Sequence, residues 1–487
     1  MSVNQTDMVI NLLSILDTQG HDKIVNDISN DATNGDELIA EAFAVIERAR
    51  SRTLLERLIA TLPSDATDPS DQKTVEGGLV ASEQLNRQSL QRETLRRELH
   101  WLYNRLLGQG GVRRMDIALT QQIQSCEDEL QKLEWQTSSA LQQAEPVALN
   151  SLQQALALDQ QAIAYYIAND EIMAFVVSQT DVHFEQRICT KQELLSALRD
   201  FRFQLGRFQI GCDYVERHAV RLKRGIDGCL AKLCQLLISP LLHYLTMERL
   251  LIIPFGATHL VPFHALRTEN SYLIERFECS YAPSASIAVM CQQHEFLQPE
   301  FSSLAALGIT DELIPEARVE IERIAQHFDT AHTYLDERAN RANLNLAASQ
   351  ADILHIATHG LYRSDNPFFS SLKLADGWID VREIYRLPLR ARLVVLSTCE
   401  SGSGYVQAGD EVIGLARGFL GAGAHALLVS MWNLHDTTAA QQMDRFYDAL
   451  KNHDDCERPA SALRKTQLEA IAQGDHPYYW APFAVIG

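Results

Sequence analysis

From about residue 249 to the end of the chain, short apolar segments alternate with longer amphipathic ones. Six of the apolar segments contain few polar residues: LLIIPF (250–255), SLAALGI (303–309), DILHIATH (352–359), RLVVLSTC (392–399), HALLVSM (425–431) and PFAVI (482–486). Strands of this kind, alternating with helices, are typical of a largely parallel sheet that is covered on both faces. The pattern therefore predicts an α/β fold for the second half of the chain.

The first part of the chain has a different, helical periodicity. Between residues 36 and 60, apolar residues recur every three or four positions, as on one face of an amphipathic helix. The polar stretches 81–108 and 113–143 predict two long helices, and the glycine-rich reversal between them predicts an antiparallel hairpin. At most one degenerate copy of a helical repeat of about 34 residues is present. We therefore expect a short helical arm rather than a repeat array.

These patterns divide the chain into three predicted parts. Residues 1–145 form the α-helical arm, and residues 246–487 form the α/β domain. Between them, residues 146–245 are predicted to hold a strand hairpin around Asn169 and Asp170, followed by helices that lead into the core. The helices predicted after residue 190 lie near 191–207, 214–246, 316–328, 337–349, 410–421, 436–451 and 459–473.

The charge balance limits the classes of partner. The chain has 43 Lys and Arg residues against 63 Asp and Glu residues, a formal net charge of −20. Such a chain is poorly suited to general binding of nucleic acids or anionic membranes. No apolar run approaches the ~18–20 residues that span a bilayer, and the first residues carry acids where a signal peptide carries basic charge. We expect a cytoplasmic protein with protein partners.

Two chemically versatile residues end predicted strands. His359, followed by Gly360, ends one apolar segment, and Cys399 ends another. Active sites in α/β sheets lie at the carboxyl ends of the strands, and neighbouring strands lie about 4.8 Å apart. A thiol and an imidazole at adjacent strand ends can act in nucleophilic catalysis, where the thiolate attacks a carbonyl. The backbone amides of Gly360 and Cys399 could then form an oxyanion hole.

Each of these residues also has a structural interpretation. A cysteine that ends an apolar strand more often packs in a core, and the nine cysteines are scattered without a CxxC motif, so most are expected to be reduced and buried. His355 and His359 have a spacing that would suit a metal on a helix, but on a strand they lie roughly 13 Å apart. We therefore expect no metal site and a core position for His355. The glycine-rich segment 414–424 lacks the Lys-Ser/Thr pair of a phosphate-binding loop and is predicted to end a helix.

Several motifs in order resemble the CHAT family of caspase-like, clan CD cysteine peptidases. They are LLIIPFGATHLVPFHAL (250–266), ADILHIATHG (351–360), FFSSLKLADG (368–377), RLVVLSTCESG (392–402), GDEVIGLARGFLGAGAHALLVSMWNLHD (409–436) and HPYYWAPFAVIG (476–487). The resemblance covers roughly residues 245–487. The helical arm more weakly resembles the tetratricopeptide-like segments that are often joined to such domains.

The resemblance implies a caspase-like, mostly parallel sheet with helices on both faces and a His/Cys dyad. It makes His359 the general base or acid, Cys399 the nucleophile, and Gly360 an oxyanion donor together with the Cys399 amide. Related peptidases often carry an acidic residue in the substrate pocket, and Asp410 and Glu411 are candidates that would favour Arg or Lys. The competing interpretation is that Asp410 caps the following helix.

We therefore expect a hydrolase, a cysteine endopeptidase that cleaves protein substrates through a thioester, with no metal or organic cofactor and with a protein regulator at the helical arm. The alternative is a non-catalytic signalling adaptor or scaffold, because a peptidase-like fold does not guarantee activity. The presence of both His359 and Cys399 favours the enzyme. A cysteine-dependent hydrolase of small amides is a third hypothesis, for which the sequence offers no positive evidence.

Overall fold

The computed structural model describes residues 39–44, 46–47, 90–91, 93–105, 117–135, 147–168, 170–293, 301–312, 314–361, 369–400, 410–432, 434, 436–452 and 458–487. These residues belong to two compact units. The larger unit contains the described residues of 39–47 and those from 147 to the end, except for the segments left out. The smaller unit contains the described residues of 90–135.

One mixed sheet forms the centre of the larger unit. Its strands are β1 (Gln160–Ala168), β2 (Glu171–Val177), β3 (Val182–Thr190), β4 (Arg249–Ile253), β5 (Glu278–Tyr281), β6 (Ser303–Gly308), β7 (Thr330–Leu335), β8 (Ile353–Leu361), β9 (Ser371–Leu374), β10 (Gly377–Asp380), β11 (Leu393–Glu400), β12 (Ala426–Ser430) and β13 (Phe483–Ile486). The order is β10-β9-β8-β11-β12-β13-β5-β4-β1-β2-β3, with β6 between β7 and β8. The run β7-β6-β8-β11-β12 is parallel throughout.

Helices in the described residues surround this sheet or form the smaller unit. They are α1 (39–44 and 46–47), α2 (90–91 and 93–105), α3 (Ile117–Trp135), α4 (Leu149–Ala155), α5 (Lys191–Gly206), α6 (Cys212–Leu237), α7 (Leu273–Arg276), α8 (Ala285–Gln293), α9 (Ala317–Ile324), α10 (Arg341–Gln350), α11 (Val381–Tyr385), α12 (Asp410–Ala422), α13 (Asp436–Asn452), α14 (Pro459–Ala472) and α15 (Pro477–Trp480). None of the helices in this part of the chain is both long and apolar enough to cross a bilayer.

Adjacent residues of β1 show that both faces of the sheet are covered. Tyr165 packs in a core cluster that includes residues of α5 and α6, whereas Tyr166 packs in a second cluster with residues of α1 and α4. In β8, every one of the nine residues is buried. Because successive side chains of a strand point to opposite faces, a strand buried at every position must be covered on both. The predicted α/β fold class is confirmed, with antiparallel pairs added at the ends of the parallel centre.

Helix α1 packs within the larger unit, although the predicted division places residues 39–47 in the arm. The ring of Phe43 meets the ring of Phe175 edge to face, with centroids 5.6 Å apart. The Glu47 carboxylate accepts the backbone N–H of Ala285, the first residue of α8, at 3.1 Å. Negative charge is favoured at a helix N-terminus. An apolar face and one carboxylate thus attach α1 to the sheet and to α8.

The smaller unit consists, in its described residues, of α2 and α3 packed on each other. The Tyr103 hydroxyl donates to the Glu127 carboxylate at 2.7 Å, and the Cys126 thiol donates to the carbonyl of Leu95 at 3.3 Å. These are the two helices predicted for the hairpin. The predicted turn between them lies outside the described residues.

Candidate active site

The carboxyl ends of three adjacent parallel strands lie at one edge of the sheet. Strand β8 pairs with β6 on one side and with β11 on the other. In the pairing of β8 with β11, His359 is the direct Cα partner of Cys399, and Gly360 is the partner of Glu400. Partner residues of neighbouring strands lie about 5 Å apart. The backbone therefore brings the two residues of the predicted dyad side by side.

The His359 side chain is buried and held by a carboxylate. It is 1% exposed, and its Nε2 lies 2.7 Å from Oδ2 of Asp311. Because an ionised carboxylate only accepts hydrogen bonds, Nε2 donates, and the neutral ring carries its lone pair on Nδ1. Within the described part of the chain, Nδ1 has no hydrogen-bond partner. The imidazole is thus held in the tautomer whose open nitrogen can take a proton.

Opposing influences act on the pKa of His359. Burial is the largest and lowers the pKa, because it penalises the charged imidazolium. The hydrogen bond and charge of Asp311 raise the pKa, and the ammonium of Lys373 lowers it. The net result is a pKa below the ordinary value of 6.5. The ring is therefore mostly neutral near pH 7, the form that a general base requires.

Asp311 is a candidate site residue that the sequence analysis does not identify. It follows β6 by three residues, so it lies at the same edge of the sheet as His359. Its Oδ1 accepts the N–H of Ile314 at 3.3 Å, and its Oδ2 lies 3.5 Å from Nζ of Lys373. The position of Asp311 in the sequence could have identified it, because it follows a predicted strand closely, just as His359 and Cys399 end theirs.

Gly360 lies one position beyond the His359–Cys399 pair. Its Cα partners are Glu400 in β11 and Leu372 in β9, so its backbone lies between two strands at the carboxyl edge. The structure therefore places the predicted oxyanion donor next to both members of the predicted dyad.

The side chains of Cys399, Asp410 and Glu411 lie outside the described residues. For Cys399, the structure gives the position of the backbone in β11. Asp410 and Glu411 are the first two residues of α12. Their backbone thus lies at a helix N-terminus, where negative charge is favoured.

The glycine-rich segment 414–424 belongs to α12 and its end, as predicted. A Cβ atom at Gly421 would lie 2.5 Å from the ring of Tyr385 in α11, so glycine permits a close approach of the two helices. Gly423 has a φ of +116°. Just after the end of α12, the N–H of Ala424 donates to the backbone carbonyl of Phe419. The segment serves packing and helix termination.

His355 occupies the same face of β8 as His359, four residues earlier, and is completely buried. Its Nε2 lies 2.9 Å from Oε1 of Glu320 in α9, and its Nδ1 lies 3.1 Å from the hydroxyl of Tyr447 in α13. The predicted core position of His355 is confirmed. The two histidines of β8 therefore face two different carboxylates, one in the interior and one at the edge.

The fold and the paired strand ends define a caspase-like α/β domain with a peptidase-like fold. The chain belongs to the CHAT domain family, whose model matches residues 227–487. This confirms the predicted family, and the match begins before the region in which the sequence motifs were found.

Comparison with individual proteins gives more distant similarities. Tetratricopeptide repeat protein 28 of Homo sapiens is 25% identical over 300 residues, which cover 49% of this chain and 12% of that protein, and the Mus musculus protein gives the same figures. A chain of the Saccharomyces cerevisiae separase–securin complex matches with a TM-score of 0.54 and 9% identity, over 94% of this chain and 34% of that chain. This chain thus spans only part of the length of these proteins. At 9% identity, the likeness to the yeast structure concerns the fold.

Proposed function

We propose that the chain is a cysteine endopeptidase in which His359 and Cys399 form the catalytic dyad. The observation that carries the proposal is the register of β8 and β11, which makes the two residues direct partners at the carboxyl edge. The buried His359 ring with its open Nδ1 supports it. Membership of the CHAT family supports a peptidase-like fold. Because a fold alone does not determine activity, the proposal depends on these two residues.

In the proposed first half-reaction, Nδ1 of His359 takes the proton of the Cys399 thiol. The thiolate attacks the carbonyl carbon of the peptide bond, so that a C–S bond forms and the C=O π electrons move to oxygen. The backbone amides of Gly360 and Cys399 donate to that oxyanion. The imidazolium then protonates the departing nitrogen as the C–N bond breaks, which leaves a thioester on Cys399.

In the proposed second half-reaction, His359 takes a proton from water while the water oxygen attacks the thioester carbon. The C–S bond breaks, the product leaves with a new carboxyl group, and His359 returns its proton to the sulfur. Asp311 holds the Nε2–H tautomer and stabilises the imidazolium in both halves, as the acid of a catalytic triad does. These steps use protein groups and water.

Substrate choice and regulation are further parts of the proposal. Asp410 and Glu411, at the start of α12, are proposed to favour Arg or Lys before the cut. The helical arm, residues 1–145, is proposed to bind a protein regulator, and the exposure of one of its tryptophans supports this. Trp101 of α2 is 58% exposed, with the Arg105 guanidinium 5.5 Å from its ring centroid, and Trp and Arg are enriched among the interface residues that carry most of the binding energy. A cytoplasmic location fits these assignments.

A non-catalytic adaptor is the second candidate function. The observation that favours it is that the curated relatives are named for tetratricopeptide repeats. In that case the helical arm would bind the partner proteins, and the α/β domain would serve as a scaffold.

Cleavage of a proteome-derived peptide library, followed by mass spectrometry, tests the two candidates. The full-length wild type, Cys399→Ala and His359→Ala would be compared, with Cys229→Ala as a control for loss of a thiol elsewhere. We expect cuts from wild type and Cys229→Ala, none from the other two, and a nearly unchanged melting temperature for Cys399→Ala. Cleavage that survives Cys399→Ala would overturn the dyad.

Three other results would point elsewhere. A large loss of stability in Cys399→Ala would support a packing role for that residue. Release of amines from small amides, without any cut in peptides, would support the small-amide hydrolase. If the wild type cuts nothing, even after addition of proteins that the full-length chain captures, the adaptor would be favoured.

A further inference from the structure

Lys373 shares a carboxylate oxygen with the proposed general base. Its Nζ lies 3.5 Å from Oδ2 of Asp311, the same atom that accepts the hydrogen bond of His359 at 2.7 Å. The Lys373 side chain is 28% exposed, and that of Asp311 is 33% exposed, while His359 is buried. A cation and an imidazole therefore converge on one acceptor at the edge of the sheet.

The fold holds Lys373 in this place through its backbone. Strand β9 runs antiparallel to β8 with Gly360 opposite Leu372. The next residue of β9, Lys373, therefore lies beside His359, the preceding residue of β8. The Thr358 hydroxyl donates to the backbone carbonyl of Lys373 at 2.7 Å. On its other side, Lys373 is the Cα partner of Trp378 in β10. Lys373 thus belongs to a paired strand, and its distance from His359 is set by the sheet.

The charged groups around His359 come from three sides. The β6–α9 connection contributes Asp311 and β9 contributes Lys373, and these are the charged groups of the described residues that act on the pKa of His359. Strand β11 contributes Cys399 and Glu400 as backbone neighbours, whose side chains lie outside the described residues. On β8 itself, His355 lies roughly 13 Å away along the strand.

The sign of the effect of Lys373 follows from this arrangement. An ammonium near the ring disfavours the imidazolium directly. It also offsets part of the Asp311 charge that would otherwise stabilise the imidazolium. Asp311 can therefore orient the ring through its hydrogen bond without making it strongly basic.

We propose that Lys373 is a positioning residue that acts through Asp311 to keep His359 neutral and ready to accept a proton. The inference rests on the proposed function, in which His359 is the base for Cys399. It adds two groups of opposite charge to the dyad. The Asp311 carboxylate orients the His359 ring, and the Lys373 ammonium limits the basicity of that ring.

Titration of His359 by NMR tests the inference without any need for turnover. The full-length Cys399→Ala protein would be labelled with carbon-13 at histidine Cε1, and the His359 signal would be assigned by its loss in a His359→Gln variant. In that background we expect Lys373→Met to raise the pKa of His359 by about half a unit to one unit. Lys373→Arg, which keeps the charge, would leave the pKa nearly unchanged.

The matched control removes an exposed lysine at the other end of the sheet. Lys191 begins α5, next to β3, eight strand positions from β8. Lys191→Met should leave the titration of His359 as it is. The difference between Lys373→Met and its parent should also shrink in salt, since the Debye length falls from about 10 Å at 0.1 M to about 3 Å at 1 M.

A structural role alone would give a different result. If Lys373→Met changed the melting temperature but left the pKa of His359 within error of the parent, the inference would be overturned. Should Lys373→Met fail to fold, Lys373→Gln, which keeps a polar end, would be titrated in its place.

The pH dependence of activity, measured in proteins that keep Cys399, provides the second readout. If His359 is the base, the acid limb of the kcat/KM profile should move to higher pH in Lys373→Met, in step with the NMR titration. An inactive wild type would overturn the proposed function and the catalytic purpose of Lys373, while the titration would still decide whether Lys373 controls His359. An active enzyme with an unmoved titration would overturn only the role of Lys373.

Discussion

His359 and Asp311 are 48 positions apart in the chain, yet Nε2 of the first lies 2.7 Å from Oδ2 of the second. The contact links the end of β8 to the segment that follows β6, its parallel neighbour. It sets the tautomer of the ring, and with it the nitrogen that can take a proton. The chemistry proposed for Cys399 therefore depends on a residue that follows a third strand, β6.

Replacement of Asp311 by Asn should impair catalysis far more than folding. The amide can donate to Nε2, which favours the wrong tautomer, and it no longer stabilises the imidazolium. Loss of the acid in this way costs up to about 10⁴-fold in a catalytic triad, so we expect kcat/KM to fall by about 10²- to 10⁴-fold. Because the Asp311 side chain is 33% exposed, the melting temperature should change little.

Asp444→Asn is the matched control for that experiment. Asp444 also accepts from the Nε2 of a histidine, His327, at 2.8 Å, but on α13. The Asp444→Asn variant should leave kcat/KM unchanged. Equal losses of activity in the two variants would show that Asp311 has only a general structural effect.

Strands with a continuous apolar sequence could be predicted, and those without it could not. All six strands predicted after residue 249 are present, each within two residues of its predicted ends. Strand β7 was not predicted; it lies at an edge, and only Tyr334 of its six residues is buried. The four-residue strands β5, β9 and β10 were also not predicted. Short or half-exposed strands carry too few apolar residues to be distinguished from loops.

The same limit applies to the candidate site. His359 and Cys399 could be singled out because each ends a strand that is recognisable by itself. Asp311 and Lys373 join them only because β6 and β9 both pair with β8, and the order of the chain does not give the order of strands in a sheet. Lys373 also belongs to a strand that the sequence analysis did not predict.

The two histidines of β8 should differ in their effect on stability. His355→Ala leaves the carboxyl group of Glu320 buried without its polar neighbour, and a buried polar group left unpaired costs about 1–3 kcal/mol. His359→Ala removes a ring of the same size, but Asp311 keeps access to solvent and to Lys373. Differential scanning calorimetry should therefore show a much lower melting temperature for His355→Ala than for His359→Ala. The reverse order would contradict the assignment of His355 to the core.

The stability of the larger unit should fall as the pH is lowered from 6.5 to 4, in part because of His264. Its Nε2 donates to the carbonyl of Ala481 at 2.9 Å, so Nδ1 accepts from the Tyr281 hydroxyl at 2.8 Å. Burial lowers the pKa of this ring from 6.5 to about 4. Between these values the unfolded chain binds the proton and the folded chain does not. The stability present above pH 6.5 is therefore lost on acidification, by up to about 3 kcal/mol at pH 4.

His264→Gln tests this pH dependence, because a glutamine can keep both hydrogen bonds and cannot titrate. The loss of melting temperature between pH 6.5 and pH 4 should be smaller in His264→Gln than in wild type. His332→Gln, which replaces an exposed histidine of β7, should leave that loss unchanged. An identical pH dependence in all three proteins would contradict the role of His264.

Asp410→Asn should separate substrate recognition from helix capping. If the Asp410 carboxylate binds a basic side chain before the cut, its loss should reduce cleavage after Arg or Lys by about 10- to 100-fold, the value of a hydrogen bond to a charged group. Cleavage after other residues should change little, and Glu411→Gln would show which of the two acids is responsible. Asn caps a helix about as well as Asp, whereas Ala costs about 0.5–2 kcal/mol. A purely capping role therefore predicts normal cleavage by Asp410→Asn and a lower melting temperature only for Asp410→Ala.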